Sequence, residues 1–289
     1  MSEICKNWSQ WLKNTRFSYM DEAQVTQTLN WLNFVKDAVL ENAELKANDT
    51  IIDIGTGTGL LGFGALEFLG ENGKVIFSDK FEDCLIECKK LLSTVDVKPQ
   101  YEFLQSGCED IKLPKESVDK AVMRSVLVHV LDKQQAMNEI YRILKPEGIF
   151  SAFEPVIRSN TRYYELTTPS NISFYEEFKK AEIELMTNAN DPLTNFDENS
   201  LAKNLEEAGF KDAVIDVQST GSTYIVQSAA VDSWFDAPPS PGATTMKEKF
   251  LLYFDENKVK EYIEQVKADL TGKEITVKAN TVLIKAIKN

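Results

Sequence analysis

Short apolar runs alternate with longer periodic segments between residues 50 and 154. The apolar runs are typical of buried parallel strands, and the periodic segments are typical of the helices that cover such a sheet. Because strands that alternate with helices are joined by right-handed crossovers, this pattern predicts an α/β fold with a mostly parallel sheet. The predicted strands are residues 50–54, 75–78, 101–104, 118–124 and 149–153.

The flanking segments depart from this strand–helix rhythm. Residues 21–46 predict an amphipathic helix, and residues 155–195 are too long for an ordinary connection, so they are interpreted as a cap over the sheet edge. A second helical insertion and a final strand follow near the carboxyl terminus. The expected boundaries are 1–48 for an N-terminal helical lid, 49–154 for a cofactor-binding core, 155–195 for a cap insertion, 196–230 for a core continuation, 231–272 for a second helical insertion and 273–289 for the closing strand.

The charge balance and the scarcity of histidine narrow the possible chemistry. The 289 residues include 45 acidic and 32 basic ones, which gives a net charge of −13. Such a chain repels polyphosphate, so no nucleic acid is expected as a partner. His129 is the single histidine, which excludes zinc sites that need two histidines.

Cysteine spacing and the amino terminus favour a cytoplasmic protein. The four cysteines form no Cys-x-x-Cys pair, which is typical of reduced intracellular thiols, and no metal site is expected. The first 17 residues lack the pattern of a signal peptide, and the most apolar run, residues 54–70, is interrupted by glycines and Glu67. We therefore expect no membrane partner. A monomer and a homodimer are both compatible with the pattern.

A glycine-rich loop between the first strand and the next helix carries the clearest chemical signal. Asp53 is followed by Gly55, Gly57 and Gly59, which allow a tight turn and a close approach of a ligand to the backbone. The dinucleotide fingerprint requires a further glycine where Leu60 stands, and no phosphate-binding Gly-Lys-Ser/Thr follows. An acid beside such a loop suits a ligand with a cationic group.

Acidic residues also end the second and third strands. Asp79 comes 26 residues after Asp53, at a place where a carboxylate can accept hydrogen bonds from both hydroxyls of a ribose. The run Cys108-Glu109-Asp110 follows the third strand, where a carboxylate and a backbone N–H can bind the edge of an adenine. Three adjacent strand ends thus offer contacts for an amino acid, a ribose and an adenine.

These segments together resemble the class I S-adenosylmethionine-dependent methyltransferases. The loop at 53–59 is similar to their motif I, Asp79 to their ribose acid, and residues 118–126 and 139–148 to their fourth strand and the approach to their fifth. The resemblance implies a Rossmann-like sheet of seven strands with an antiparallel last strand, and S-adenosylmethionine as the cofactor, with S-adenosylhomocysteine as its product. The cofactor-binding residues it implies are Asp53, Gly55, Thr56, Gly57, Gly59, Asp79, Lys80, Cys108, Glu109, Asp110 and Arg124.

The acceptor is a separate question. Residues 8–17 and the two insertions are similar to enzymes that methylate the C-terminal carboxylate of ribosomal peptides, which makes O-methylation of a peptide or small-molecule acid the leading hypothesis. A carboxylate is ionised at neutral pH and needs no general base. Arg158, Arg162 and Arg16 are candidates to hold it, and surface charge is the competing interpretation. The candidate catalytic residues are His129, Arg158 and Arg162.

Three alternatives stay open at this point. His129 or a tyrosine could act as a base for methylation of a hydroxyl or an amine, although His129 could equally be a packed structural residue. Cys84 and Cys88 lie one helical turn apart and could bind arsenite as an acceptor, whereas burial as small apolar residues is the simpler interpretation. A non-catalytic binding module on the same scaffold is the third alternative.

Overall fold

A computed structural model describes residues 3–15, 21–238 and 243–289. Within these residues the chain forms seven β-strands and eleven α-helices. The strands are β1 (Thr50–Ile54), β2 (Lys74–Asp79), β3 (Gln100–Gln105), β4 (Val118–Arg124), β5 (Leu144–Pro155), β6 (Lys211–Ile225) and β7 (Glu274–Ile287). The helices are α1 (Glu3–Asn14), α2 (Glu22–Asn42), α3 (Leu60–Phe68), α4 (Glu82–Leu92), α5 (Lys133–Ile143), α6 (Tyr163–Leu166), α7 (Tyr175–Leu185), α8 (Glu198–Ala208), α9 (Ser228–Asp236), α10 (Met246–Phe250) and α11 (Glu256–Leu270).

All seven strands form one sheet in the order β3-β2-β1-β4-β5-β7-β6. The pairs from β3 to β5 are parallel, and β7 runs antiparallel to β5. The predicted α/β class, the Rossmann-like sheet of seven strands and its antiparallel last strand are confirmed. Because the chain leaves β1 for β2 on one side and later returns to β4 on the other, the order reverses at β1, which is where such sheets form a ligand crevice.

The chain divides into two compact units. The first contains the described residues of Met1–Pro155, Glu198–Val217 and Thr281–Asn289, and the second contains those of Val156–Asp197 and Gln218–Asn280. These limits differ from the expected boundaries, because residues 218–230 join the second unit and the closing segment of the first begins at Thr281. The reason lies in β6 and β7, which are 15 and 14 residues long and continue from one unit into the other.

The core of the first unit forms where α2 and α3 cover the sheet. Asp21 caps α2 by accepting the N–H of Gln24, whose side chain accepts the N–H of Asp21 in return. The apolar positions that predicted this helix are all buried, namely Val25, Leu29, Leu32, Val35, Val39 and Leu40. Tight packing in this unit depends on Gly62, since a Cβ there would lie 2.2 Å from the Phe77 ring.

The second unit has its own aromatic core. Phe178 of α7 stacks on Tyr262 of α11 with ring centres 3.8 Å apart, and Phe250 meets both rings edge-on. Glu182 is buried in this unit and accepts the N–H groups of Tyr163 and Tyr164. The insertions are therefore a packed body with a hydrophobic centre.

Several elements differ from the sequence predictions in their limits. The second helical insertion, expected at 231–272, contains α10, α11 and most of α9, and Asp255 caps α11 after a break at 251–255. Strand β5 begins at Leu144, ahead of Pro146 and Gly148, and a register shift between Val118 and Lys120 accommodates the early start. Among the helices in the described residues, none combines the length and apolarity needed to cross a bilayer.

Candidate functional site

A cavity of about 320 Å³ lies where β1 and β4 end, at the point where the strand order reverses. Its walls come from the loop after β1, the first turn of α3, one residue of α4 and the loop after β4. This is the crevice that the strand order predicts. The lining residues are Asp53, Gly55, Thr56, Gly57, Thr58, Leu60, Leu61, Cys84, Arg124, Ser125 and His129.

The glycine loop has the backbone conformation that only glycine adopts readily. Gly55 and Gly57 have φ of +65° and +52°. A Cβ at Gly55 would lie 2.4 Å from the Val126 side chain, so the loop after β4 packs directly on this residue. A Cβ at Gly57 would meet only the carbonyl oxygen of Gly55, at 3.9 Å, so the space beside Gly57 is open.

Asp53 organises the loop from beneath. Its carboxylate is 2% exposed, and Oδ2 accepts from the Thr56 hydroxyl over 2.6 Å and from the Gly62 N–H over 2.8 Å. Burial raises the pKa of Asp53 to about 7, with a further contribution from the charge of Asp79, while the two hydrogen bonds and Arg124 oppose the rise. Asp53 thus fixes the turn and also supplies a titratable wall to the cavity.

Asp79 closes on the same loop from the end of β2. Its Oδ2 accepts the Gly57 N–H and its Oδ1 accepts the Phe81 N–H, each over 2.9 Å. The residue is 6% exposed and does not line the cavity. Each carboxylate oxygen has a second lone pair, so both oxygens keep acceptor capacity. Lys80 is exposed, and its ammonium lies 4.9 Å from the centre of the Phe81 ring.

The expected adenine-edge residues follow β3 and lie outside the cavity lining. Cys108 is buried, and burial raises the pKa of its thiol to about 12. Glu109 and Asp110 are exposed, and the carboxylate of Asp110 pairs with the Lys112 ammonium. Gln135 donates to the carbonyl oxygen of Glu109 over 3.1 Å, which ties this turn to α5.

Arg124 ends β4 and faces the cavity. Its guanidinium lies 5.7 Å from the centre of the Trp31 ring, and its buried Nε has no hydrogen-bond partner among the described residues. Burial lowers the pKa of Arg124, and the negative charges of Glu154 and Asp53 oppose that change. A buried guanidinium N–H without a partner is a donor available to a ligand.

His129 lies on the short 3₁₀ turn Leu127–His129 that follows β4. Its side chain is exposed at the wall of the cavity. Partial burial of the ring, together with the charges of Lys80 and Lys133, lowers the pKa of His129 below its usual 6.5. The imidazole is therefore neutral at pH 7, the form in which a histidine can accept a proton.

A match to known proteins identifies the family of the chain. The family model described as a methyltransferase domain matches residues 45–271, which include the whole cavity wall. The chain belongs to the methyltransferase domain family. It is a class I S-adenosylmethionine-dependent methyltransferase domain, and S-adenosylmethionine is its cofactor.

Individual relatives are more distant. The ubiquinone/menaquinone biosynthesis C-methyltransferase UbiE of Escherichia coli O1:K1 / APEC is 28% identical over 138 residues, which are 47% of this chain and 53% of UbiE. The chain thus spans about half the length of the curated relatives it matches. Among solved structures, the protein BH2331 of Bacillus halodurans C-125 has a TM-score of 0.56 at 18% identity. The matched region covers 88% of this chain and 98% of the BH2331 chain. Phosphoethanolamine N-methyltransferase 2 of Haemonchus contortus, in complex with S-adenosyl-L-methionine, has a TM-score of 0.50 at 18% identity. The matched region covers 97% of this chain and 60% of the Haemonchus contortus chain.

The described residues of this methyltransferase fit the cofactor. The open space beside Gly57 lets a ligand approach the backbone closely. The unpartnered Nε of Arg124 can donate a hydrogen bond to an anionic group. The spare lone pairs of Asp79 can accept hydrogen bonds from hydroxyl groups. Such a set suits a molecule that combines a carboxylate and a ribose. It forms at the carboxyl ends of β1, β2 and β4, as the resemblance implies.

The candidate acceptor arginines belong to the second unit. Arg158 forms an ion pair with Asp197 over 3.6 Å, and Arg162 donates to the Ile157 carbonyl oxygen over 3.2 Å. Burial lowers the pKa of Arg162, and the negative charge of Glu182 opposes this decrease. Both guanidinium groups therefore have partners inside their own unit. Arg16 lies outside the described residues.

The two cysteines of α4 have different surroundings. Cys84 is half-buried and lines the cavity, whereas Cys88 is buried and donates its thiol to the Gly57 carbonyl oxygen over 3.5 Å. Burial raises the pKa of Cys88 well above its usual value. A buried thiol in this state is a packing residue and a poor ligand.

Glu154 is the residue of this region that sequence reasoning did not assign. It is the penultimate residue of β5, has no exposed surface and accepts backbone N–H groups from the loop that carries His129. The signal that could have identified it was an acid directly after the mainly apolar strand predicted at 149–153.

Proposed function

We propose that this methyltransferase transfers the methyl group to an acceptor that carries a dissociable proton, with His129 as the general base. One observation supports the proposal above all: His129 lies at the wall of the cavity, and its lowered pKa keeps the imidazole neutral at pH 7. A neutral imidazole nitrogen accepts the proton of a hydroxyl, an amine or an acidic C–H group. Two of the three proteins named above are a C-methyltransferase and an N-methyltransferase, which is compatible with such acceptors.

The cofactor roles proposed for the loop residues follow from their contacts. When bound, S-adenosylmethionine supplies an electrophilic methyl group on a cationic sulfonium. Gly57 would allow its close approach, Gly55 and Gly59 would keep the loop in its tight turn, and Thr56 would hold that turn through its bond to Asp53. Arg124 would bind the carboxylate of the amino-acid part, because its buried Nε is a free donor.

The ribose and adenine roles remain with the strand ends. Asp79 would accept from the ribose hydroxyls with the lone pairs not used by Gly57 and Phe81. Cys108, Glu109, Asp110 and Lys80 would surround the adenine edge, with the buried Cys108 as a packing surface.

O-methylation of a carboxylate, at a peptide C-terminus or on a small acid, is the second candidate. Arg158 and Arg162 support it, because two guanidinium groups lie four residues apart on one short segment. Such an acceptor needs no base, so His129 would be dispensable. Arsenite is less suited as an acceptor, since the Cys88 thiol is buried and already bonded.

Calorimetric titration with S-adenosylhomocysteine, with NAD as the control, tests the cofactor assignment. Micromolar binding of S-adenosylhomocysteine alone is expected, and binding of neither would favour a non-catalytic module on this scaffold. A panel of phenols, amines, acidic C–H compounds and peptide acids, scored by a mass gain of one methyl group, then tests the acceptor.

The pH dependence of the rate separates the two candidate acceptors. With His129 as the base, kcat/KM should fall as the pH drops below the lowered pKa of His129, and His129→Asn should lose most of the activity. A flat profile above about pH 5 with an active His129→Asn variant would overturn the base assignment and favour the carboxylate.

A further inference from the structure

The carboxylate of Glu154 is fully buried and accepts three hydrogen bonds from the loop after β4. Oε1 accepts the N–H of Val126 over 2.8 Å and that of Leu127 over 3.1 Å, and Oε2 accepts the N–H of Val128 over 3.2 Å. These N–H groups stand at the start of the 3₁₀ turn, where no preceding turn supplies acceptors. One side chain therefore satisfies the entire start of the turn.

The pairing of β4 with β5 explains how Glu154 reaches this turn. Arg124 pairs with Phe153 in the parallel register, and the Ser125 N–H donates to the Phe153 carbonyl oxygen over 2.8 Å. Glu154 is the next residue of β5. Ser125 has a φ of +54°, a left-handed conformation that serine seldom adopts, so the chain turns sharply at the point that Glu154 holds.

The turn held in this way carries the cavity residues at both of its ends. Arg124 precedes it and His129 closes it, and both line the cavity. Glu154 itself does not line the cavity. Its influence on a bound molecule therefore passes through the residues around it, namely the turn that it holds and Arg124, whose guanidinium feels its charge.

Burial and nearby charged or hydrogen-bonding groups shift the pKa of Glu154 in opposite directions. Burial raises the pKa of Glu154 to about 7, whereas the three N–H groups and the charge of Lys133 oppose the rise. The charge of Glu154 in turn opposes the lowering of the pKa of Arg124 and contributes to the raised pKa of the Cys108 thiol. The carboxylate is thus held mainly by backbone donors.

We propose that Glu154 is a positioning residue for methyl transfer, whose carboxylate fixes the turn at residues 125–130 and thereby the places of Arg124 and His129 in the cavity. The proposal rests on the proposed function in that Arg124 and His129 are taken as the cofactor and base residues. Its test can nevertheless be made without an acceptor.

The single histidine of the chain provides the readout. In protein labelled at the Cε1 position of histidine, His129 gives one imidazole NMR resonance, and its titration gives the pKa of this residue alone. Glu154→Gln replaces one acceptor oxygen by an amide donor, which opposes the backbone N–H groups of the turn. We expect the pKa of His129 to rise toward 6.5, because burial of the ring is the main cause of its lowering. We also expect the dissociation constant of S-adenosylhomocysteine to rise about tenfold.

Two further variants make the result specific. Glu154→Asp keeps the charge but is one methylene shorter, so the pKa of His129 should lie between those of wild type and the glutamine variant; this variant provides the test if the glutamine variant does not fold. Glu182→Gln removes a carboxylate that is equally buried and also accepts backbone N–H groups, and it should leave the His129 titration unchanged.

An unchanged His129 titration in the folded Glu154 variants would overturn the proposal, and so would an equal change in Glu182→Gln. Failure of the wild type to bind S-adenosylhomocysteine would instead overturn the proposed function. The NMR comparison would still report whether Glu154 positions the turn, so the two failures are distinguishable.

Discussion

Replacement of Asp53 by asparagine should preserve the glycine loop and remove its negative charge. Both hydrogen bonds of the Asp53 carboxylate end on one oxygen, which accepts from the Thr56 hydroxyl over 2.6 Å and the Gly62 N–H over 2.8 Å. An asparagine whose amide oxygen takes that place keeps both bonds. An alanine keeps neither and leaves two buried donors without a partner.

The magnitude follows from the burial of the carboxyl. Burial raises the pKa of Asp53 from 3.8 to about 7, so the folded chain retains a proton that the unfolded chain releases at lower pH. The free energy of unfolding of the wild type therefore falls as the pH rises toward 7. Asp53→Asn lacks this dependence, and its stability relative to wild type should increase by about 3 kcal/mol between about pH 5 and about pH 8.5. Asp53→Ala should be destabilised by about 2–6 kcal/mol, since each orphaned donor costs about 1–3 kcal/mol.

Urea unfolding of the wild type and the two variants across this pH range measures these differences. Titration with S-adenosylhomocysteine at about pH 8 measures how much the negative charge of Asp53 contributes to binding. We expect the dissociation constant of Asp53→Asn to be about tenfold higher than that of the wild type. Parallel stability curves for wild type and Asp53→Asn would refute the reasoning, because the carboxyl would then be ionised throughout the range.

Two other predictions concern the glycine loop and the second unit. Gly55→Ala should be less stable than Gly57→Ala by about 1–3 kcal/mol, the usual cost of overpacking, because only the Cβ at position 55 would meet Val126, at 2.4 Å. Thermal melts of the two variants measure this order of stability. The reverse order would contradict the packing argument. Glu182→Gln should remove a pH dependence, because burial raises the pKa of Glu182 to about 7 and the wild type therefore loses stability as the pH rises from about 4.5 to about 7. Urea unfolding at the two ends of this window would show wild type and variant changing in parallel if the reasoning were wrong.

Local sequence patterns were sufficient to predict the sheet edge that forms the cavity. An apolar strand that contains Asp53 and is followed by alternating glycines predicts a tight turn, because glycine adopts the positive φ values found at Gly55 and Gly57 far more readily than other residues do. The strand–helix alternation then predicts which strand ends lie side by side. These signals depend on residues that are close together in sequence.

Contacts between distant segments could not be predicted in the same way. Glu154 lies 28 residues from Val126, and its role emerges only when the register places Arg124 opposite Phe153. For Arg158 and Arg162, by contrast, the sequence suggested a functional role, and the structure shows partners that the sequence did not reveal. Their spacing suggested a carboxylate clamp, but an ion pair from Arg158 to Asp197 depends on folding that no local pattern reveals.

Three buried carboxyls, those of Asp53, Glu154 and Glu182, use their oxygens differently, and this difference predicts which of the three an amide can replace. Asp53 receives both bonds on one oxygen, which an asparagine can supply. Glu182 receives one bond on each oxygen, at 2.9 Å and 3.3 Å, so a glutamine keeps the shorter bond and loses the longer. Glu154 receives three bonds over both oxygens, and a glutamine must turn its amide group toward at least one N–H. Burial raises the pKa of all three to about 7, so the burial cost alone would rank them together. The number and distribution of the N–H donors instead make Glu154 the one of these three that is least exchangeable for an amide.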